Sequence, residues 1–323
     1  MGNTKTLNGL MKHLRDKHNI NIGKSSQKQK LRNIGYYHGF KGYRYITNPN
    51  NKIQYTDFEE ILSVNEFDME LKALLYPKIM FIETALKSHV LEIVTVKANS
   101  SSFAEIYEKL LTEYKNYKTG SSNYKSKMKK RLDLRSTIYK TLSFDYSKDT
   151  KVVSHFYENE KNVPIWAIFE CINLGDFGNF ISCLDGDCRR EIEMLLSFNI
   201  ANDSNYKLLE RIVFALKDLR NSIAHNNIIF DTRFRKSNIS GSVSSYLSNE
   251  TGIVNITFNN IVDYIILVTY ILKSLCVPKR EINKFINEFD IILERFYSKV
   301  PNIYSSVLPT ETKNKLLKLK NFL

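Results

Sequence analysis

The sequence predicts an all-α fold with an N-terminal helical extension and one small β-hairpin insertion. Two observations carry this expectation. Apolar residues recur at three- and four-residue spacing over several long windows, whereas strict alternation occurs in one short segment. The 323 residues are 43% hydrophobic, which supports one large or two modest domains with a buried core.

Leu7, Leu10, Met11 and Leu14 open the chain with a helical pattern, and a polar basic stretch follows from Lys24 to Lys30. The aromatic cluster Tyr36, Tyr37, His38, Phe40, Tyr43 and Tyr45 is interrupted by Gly35, Gly39 and Gly42, where helix is expected to give way to turns. Asn65-Glu66-Phe67-Asp68 reads as a cap and acidic first turn, ahead of Leu71, Leu74, Leu75, Ile79, Ile82, Leu86, Val90 and Ile93. Pro77 is expected to kink or split that helix. Further helices are expected over 103–117, through a basic helix within 115–140, and over 165–184, 189–196 and 208–223. Beyond them, Ser240-Gly241-Ser242-Val243 and Ser248-Asn249-Glu250-Thr251-Gly252 flank the alternating run Ile253 to Phe258, which predicts a hairpin insertion within 233–258. Helices at 261–275 and 280–297 close the pattern. This divides the chain into a basic, aromatic-rich segment 1–60, a helical domain 61–300 and a basic C-terminal tail 301–323.

The formal charge is +13, and it is concentrated. Residues 1–54 hold eleven Lys or Arg against the single acid Asp16, and residues 115–140 hold nine against Asp133 alone, so the rest of the chain is net acidic. Two basic segments are the electrostatic footprint expected for a polyanion. The candidate RNA-binding residues are Lys125, Lys127, Lys129, Lys130, Arg131 and Arg135 in the second segment, and Lys28, Lys30, Arg32, Tyr36, Tyr37 and Arg44 in the first. Tyrosines between cations suit stacking on unpaired bases; packing the segment onto the main domain is the competing and compatible reading. A charge run on a helix is equally read as a solvated face.

Cys171, Cys183, Cys188 and Cys276 form no C-x-x-C pair and have no histidine at ligand spacing, so no metal site is expected; Asp185-Gly186-Asp187 reads as a helix-to-helix turn. Residues 1–26 lack the apolar core of a signal peptide, and the apolar run Ile261 to Leu275 is short and holds Asp263 and Lys273, so a cytoplasmic protein without a membrane span is expected. Gly-rich phosphate loops, nucleophilic Ser or Cys constellations and a helix-turn-helix pattern are not apparent in the sequence.

The most informative stretch is Arg220-Asn221-Ser222-Ile223-Ala224-His225, at the end of a helix whose apolar stripe runs through Leu208, Leu209, Ile212, Val213, Leu216, Leu219 and Ile223. Arg220 and His225 lie off that stripe. Arginine presents a planar fork of donors to phosphate, and histidine carries protons near neutral pH. Five residues along a helix correspond to a rotation of about 140°, so one straight helix aims the two side chains apart. Either the helix ends at the motif, as Asn226 and Asn227 suggest, or a second copy completes the site.

These six residues resemble the R-N-x-x-x-H signature of HEPN-domain ribonucleases. The chain as a whole resembles abortive-infection proteins of the AbiD and AbiF kind, through Leu31 to Tyr37 with Gly42-Tyr43-Arg44-Tyr45, through Phe81 to Lys87, and through Pro164-Ile165-Trp166-Ala167 with Glu170, into Arg220 to His225. The resemblance implies a HEPN-type helical bundle, a homodimer and metal-independent RNA cleavage at a shared cleft, with Arg220, His225 and Asn221 as site residues and no cofactor. It implies further an anti-phage, toxin-like role restrained by a small non-coding RNA; the alternative is a non-catalytic HEPN protein that binds RNA or regulates. Within the Phe81 to Lys87 block, Glu83 is read either as orienting Arg220 or as forming an exposed i,i+4 pair with Lys87. HEPN toxins with a nucleotidyltransferase antidote usually carry tyrosine two residues after the histidine, and position 227 is Asn.

Overall fold

The computed structural model describes residues 6–235 and 239–323. The N-terminal part comprises α1 (Leu7–His18), α2 (Ser25–Tyr36) and a π-helical turn at Tyr37–Lys41. It leads into α3 (Phe58–Ala98), the longest helix at 41 residues, then α4 (Phe103–Lys109), a 3-10 turn at Glu113–Asn116 and α5 (Ser122–Ser147). The shorter α6 (Lys151–Glu158), α7 (Ile165–Cys171), α8 (Leu174–Cys183) and α9 (Gly186–Leu195) precede α10 (Leu208–Ala224). The remainder is α11 (Gly241–Thr251), α12 (Ile261–Ser274), α13 (Lys279–Lys299), α14 (Pro301–Val307) and α15 (Thr312–Phe322). Among the described residues there is no strand, only isolated bridges such as Tyr45 with Lys52.

Helix α3 is the axis of the molecule. Its buried stripe, from Ile61 and Val64 through Leu75 and Ile82 to Val90 and Val94, touches α4, α7, α9, α10, α12 and α13. Phe67 stacks on Phe296 of α13 with ring centroids 4.2 Å apart. The helix starts seven residues before the expected cap, because Asp57 and Glu60 form a capping box that the sequence pattern does not single out. Pro77 does not split it: α3 is one unbroken element. Asp68, expected to sit in an acidic first turn, is instead fully buried.

The hairpin expected within 233–258 is not formed; its residues 236–238 lie outside the described residues. Gly241–Thr251 is helical, capped by Ser240 and ended by Gly252 at φ 68°, with Val243, Tyr246 and Leu247 buried at helical spacing. The next run is irregular, with Asn255 and Phe258 each at φ 59°, and has no partner strand. Its polar backbone groups go to side chains: the Thr257 and Phe258 amides donate to Asp263 at 2.9 Å, and the Asn255 carbonyl accepts from Lys315 at 2.7 Å. Lys315 also pairs with Asp263 at 2.8 Å, both buried. The segment expected to be a basic tail is thus helical and packed, with Leu316 and Leu319 in the core. Two expected helices are each interrupted, 103–117 after Lys109 and 165–184 at Asn173, whose side chain caps α8.

Helix α10 packs on α8 and α3, and its N-terminus has no side-chain cap of its own. Asp203 and Glu193 serve instead, accepting from the Leu208 amide at 2.7 Å and the Leu209 amide at 3.1 Å. Burial, with Asp203 beside it, pushes the Glu193 carboxyl up to about 8. A carboxyl raised in the folded state stabilises the fold while protonated and loses that contribution as pH rises from about 4.5 through about 8. Thermal melts at pH 5 and pH 8 should therefore show wild type losing stability relative to Glu193→Gln, which keeps the acceptor and carries no charge. Parallel pH profiles for the two proteins would refute this.

Candidate active site

The motif stands where α10 stops. The Asn226 amide donates to the Ile223 carbonyl at 3.0 Å and the Asn227 amide to the Ser222 carbonyl at 2.8 Å, with Asn226 at φ 52°. This is a Schellman closure with Asn in the left-handed position. His225 becomes the C-cap and is exposed, while Arg220 remains one turn back and half-buried. Among the described residues, no hydrogen bond or ion pair engages the His225 ring or joins Arg220 to His225.

Arg220 is steered from α3. Its Nε lies 3.5 Å from Glu83 Oε2 without a hydrogen bond, and Lys87 holds the other carboxylate oxygen at 3.1 Å. Lys87 also donates to the Ile172 carbonyl at 2.9 Å, just ahead of α8. Glu83 thus lies between Lys87 and Arg220, but the Lys87 pair is not the exposed one expected. One carboxylate bridges Lys87 and Arg220, and with side-chain exposures of 8% for Glu83 and 12% for Lys87 the i,i+4 pair is buried rather than solvated. Asn221 Oδ1 lies 3.5 Å from the Arg220 guanidinium, a long contact.

His225 is positioned through the residues that follow it. Asp68 accepts from the Ile229 and Phe230 amides at 2.8 Å, accepts from the Tyr43 hydroxyl at 3.1 Å and pairs with Lys72 at 2.7 Å. Lys72, also buried, donates to Asn226 Oδ1 at 2.8 Å. The stretch beyond the motif is clamped again at Asp231, which accepts from the Thr47 amide and pairs with Arg233, and Arg233 donates to the Gly42 and Tyr45 carbonyls. Gly42 lets the backbone pass close here: a Cβ would lie 2.5 Å from Ile228 Cδ1 and 3.1 Å from the Tyr37 carbonyl oxygen, so a larger residue would crowd both. The Gly42-Tyr43-Arg44-Tyr45 stretch is thus a fitting that seats the chain after His225 against α3. His38, on the π-helical turn, faces the same network; burial and then Lys72 lower its pKa, with Asp68 opposing.

The sequence-derived RNA-binding residues divide by what holds them. On α5, Lys130 donates to Ser182 Oγ at 2.6 Å, and Arg131 donates to the Tyr107 carbonyl at 2.8 Å and lies over the Tyr107 ring. Both fasten α5 to its neighbours. Lys129 pairs with Asp133 across an exposed turn, Arg135 is exposed beside Tyr107, and Lys125 is exposed and Lys127 half-buried. In the N-terminal part Lys30 pairs with Glu59, Arg32 bonds Gln29, and Arg44 and Tyr37 are exposed; Lys28 and Tyr36 are half-buried. Phe40 and Tyr43 of the aromatic cluster are core residues. Among the described residues, no group of His, Cys, Asp and Glu gathers in metal-ligand geometry, and no helix is long and apolar enough to cross a membrane.

Comparison with known families matches residues 29–231 to the Abi-like protein family. The chain belongs to that family. The matched region runs from α2 to Asp231 and so contains the motif together with Tyr43, Asp68, Lys72, Glu83 and the clamp at Asp231, while α11 to α15 lie beyond it. No curated protein and no solved structure matches the chain.

Sequence reading missed Asp68, Lys72 and Asn226 as supporting residues. Removing one member of a buried, hydrogen-bonded ion pair costs about 3–5 kcal/mol. Denaturant unfolding of Asp68→Ala should show a loss of that size, and Lys72→Met, which leaves Asp68 its amide donors, a smaller one. A loss below about 1 kcal/mol for Asp68→Ala would contradict the anchoring role, since that is the scale of a surface ion pair.

Proposed function

We propose that this Abi-like chain is a metal-independent HEPN-type endoribonuclease of abortive infection, active as a homodimer with Arg220 and His225 of both copies at one cleft. The observation that carries the reading is the mounting of the pair. A buried carboxylate holds Arg220 from α3 while an independent buried clamp fixes the backbone after an exposed His225. Family membership supports the defence role.

Cleavage of RNA through its own 2′-OH requires a base for that hydroxyl, stabilisation of charge gathering on phosphorus, and an acid for the departing 5′ oxygen. One copy supplies one histidine, so two copies supply base and acid. The two guanidiniums, each backed by its Glu83, hold the phosphate through paired charge-assisted bonds. Asn221, next to Arg220, donates a further hydrogen bond to the phosphate in this reading.

The surface of α3 supports the pairing of two copies. Met69, Ala73, Tyr76, Met80 and Thr84 form an outward stripe on which Met69 and Tyr76 are exposed, with Phe81 exposed at its edge. Lys72 and Glu83 border this stripe, so a second copy seated there lies beside the motif of the first. Restraint by a small RNA fits the two basic segments.

Arg220→Ala or His225→Ala should abolish growth arrest and lower RNA cleavage by about 10²–10⁴-fold, the usual contribution of one acid–base or phosphate-holding group, and His225→Ala should keep the wild-type melting temperature. Products should end in 2′,3′-cyclic phosphate and 5′-hydroxyl, and EDTA should not slow the reaction. Wild-type cleavage by either variant would remove the assignment. Tyr76→Glu should sediment as a monomer and lose cleavage with its motif intact; an active monomer would contradict the shared cleft.

A further inference from the structure

The outer face of α5 carries a feature that the basic run alone does not reveal. Lys125, Leu132, Tyr139 and Tyr146 follow one another at seven-residue intervals, which returns each to within about 20° of the last and sets them along a stripe roughly 30 Å long. Lys129 and Arg135 flank it. All six are exposed, Leu132 at 44%, Tyr139 at 52% and Tyr146 at 47%. Tyr157 of α6 joins the row: it is 40% exposed, meets the Tyr146 ring edge-on at a centroid distance of 5.6 Å, and the pKa of its hydroxyl is raised by burial and by the nearby Tyr139 phenol. Three phenol rings therefore stand at the C-terminal end of a track whose N-terminal half is cationic. Of the acids on this helix, Asp133 pairs with Lys129 and Asp145 faces Cys171.

The stripe also has a direction. At one end Lys130 reaches α10 at Glu210 and lies over the Phe214 ring, 5.6 Å away. At the other, Asp145 sits against Cys171, where burial and that carboxylate push the thiol up to about 12. Cys171 adjoins Ile172, whose carbonyl is held by Lys87, the partner of Glu83 and through it of Arg220. Helix α5 thus packs on α7 and α8, and its tyrosine end adjoins the connection between them that Lys87 holds.

We propose that this stripe is a binding track for single-stranded RNA, with Tyr139, Tyr146 and Tyr157 stacking on bases and Lys125, Lys129 and Arg135 holding phosphates. Charge complementarity selects a polyanion. Exposed rings select unpaired bases, because a duplex buries the base faces that stack. The proposal deepens the ribonuclease reading by naming the substrate class, and rests on that reading only for the route toward Arg220. Binding is separable from cleavage and is measured on Arg220→Ala protein.

The experiment is fluorescence anisotropy with a labelled oligouridine over a range of salt concentrations. Tyr139→Ala, Tyr146→Ala and Tyr157→Ala should each weaken binding by about fivefold or more, the worth of one stacked base, without changing the salt slope. The corresponding Phe variants should bind as wild type does. Replacing Lys125, Lys129 and Arg135 with Gln should flatten the slope by about 0.7 for each phosphate no longer held. Ultraviolet crosslinking of the same RNA to protein without Tyr substitutions should label peptides within 135–157, a readout that does not depend on how the Ala variants fold. Unchanged affinity in all three Ala variants, crosslinks confined to other segments, or a dimer that falls apart in the Ala variants while RNA affinity holds would each overturn the proposal, the last by making the face a contact between copies. These outcomes leave the Arg220 assignment standing, because it is judged on cleavage and not on binding.

Discussion

Asp68 is the group around which the molecule is organised. Its carboxylate is buried, yet it is satisfied by two backbone amides from the segment after the motif, by the Tyr43 hydroxyl and by the Lys72 ammonium. A buried charge is tolerable only under such full compensation, so three parts of the chain far apart in sequence are obliged to meet at one point on α3. The end of α10, the glycine-bearing stretch at Gly42 and the long helix are locked together by that obligation. Lys72 then passes the constraint to Asn226, directly after His225. The exposed histidine owes its place to polar contacts that it does not itself make.

The fold class and most helices are legible in the sequence because periodicity is a local signal. Residues 208–224 and 279–299 bury the faces that their spacing marks, and 261–274, apolar along its length, is buried on all sides. The failures have a common cause. Ile253 to Phe258 alternates like a strand, but a strand needs a partner, and here Asp263 and Lys315 satisfy its polar backbone groups. The pairing of Lys315 with Asp263 across 52 residues has no local trace, and without it the C-terminal segment reads as a tail.

The candidate site divides along the same line. Arg220, Asn221 and His225 are visible as a motif, and Glu83 as one of a set of family residues. Asp68 looks like an ordinary helix-start acid, and nothing local distinguishes Lys72 from a surface lysine, because burial is a property of the assembled fold. Likewise the α5 lysine run reads as uniform in sequence, whereas Lys130 and Arg131 are spent on Ser182, Glu210 and Tyr107 and only part of the run faces outward.

Glu83 beside Arg220 and the clamp beyond His225 suit a pair of groups presented separately and joined only when a second copy arrives. The most direct test is specific RNA-cleaving activity across a dilution series, with the dimer fraction followed by sedimentation on the same samples and Arg220→Ala as background. The account predicts that activity per chain falls in step with the dimer fraction. Constant activity per chain in samples that sediment as monomers would contradict it.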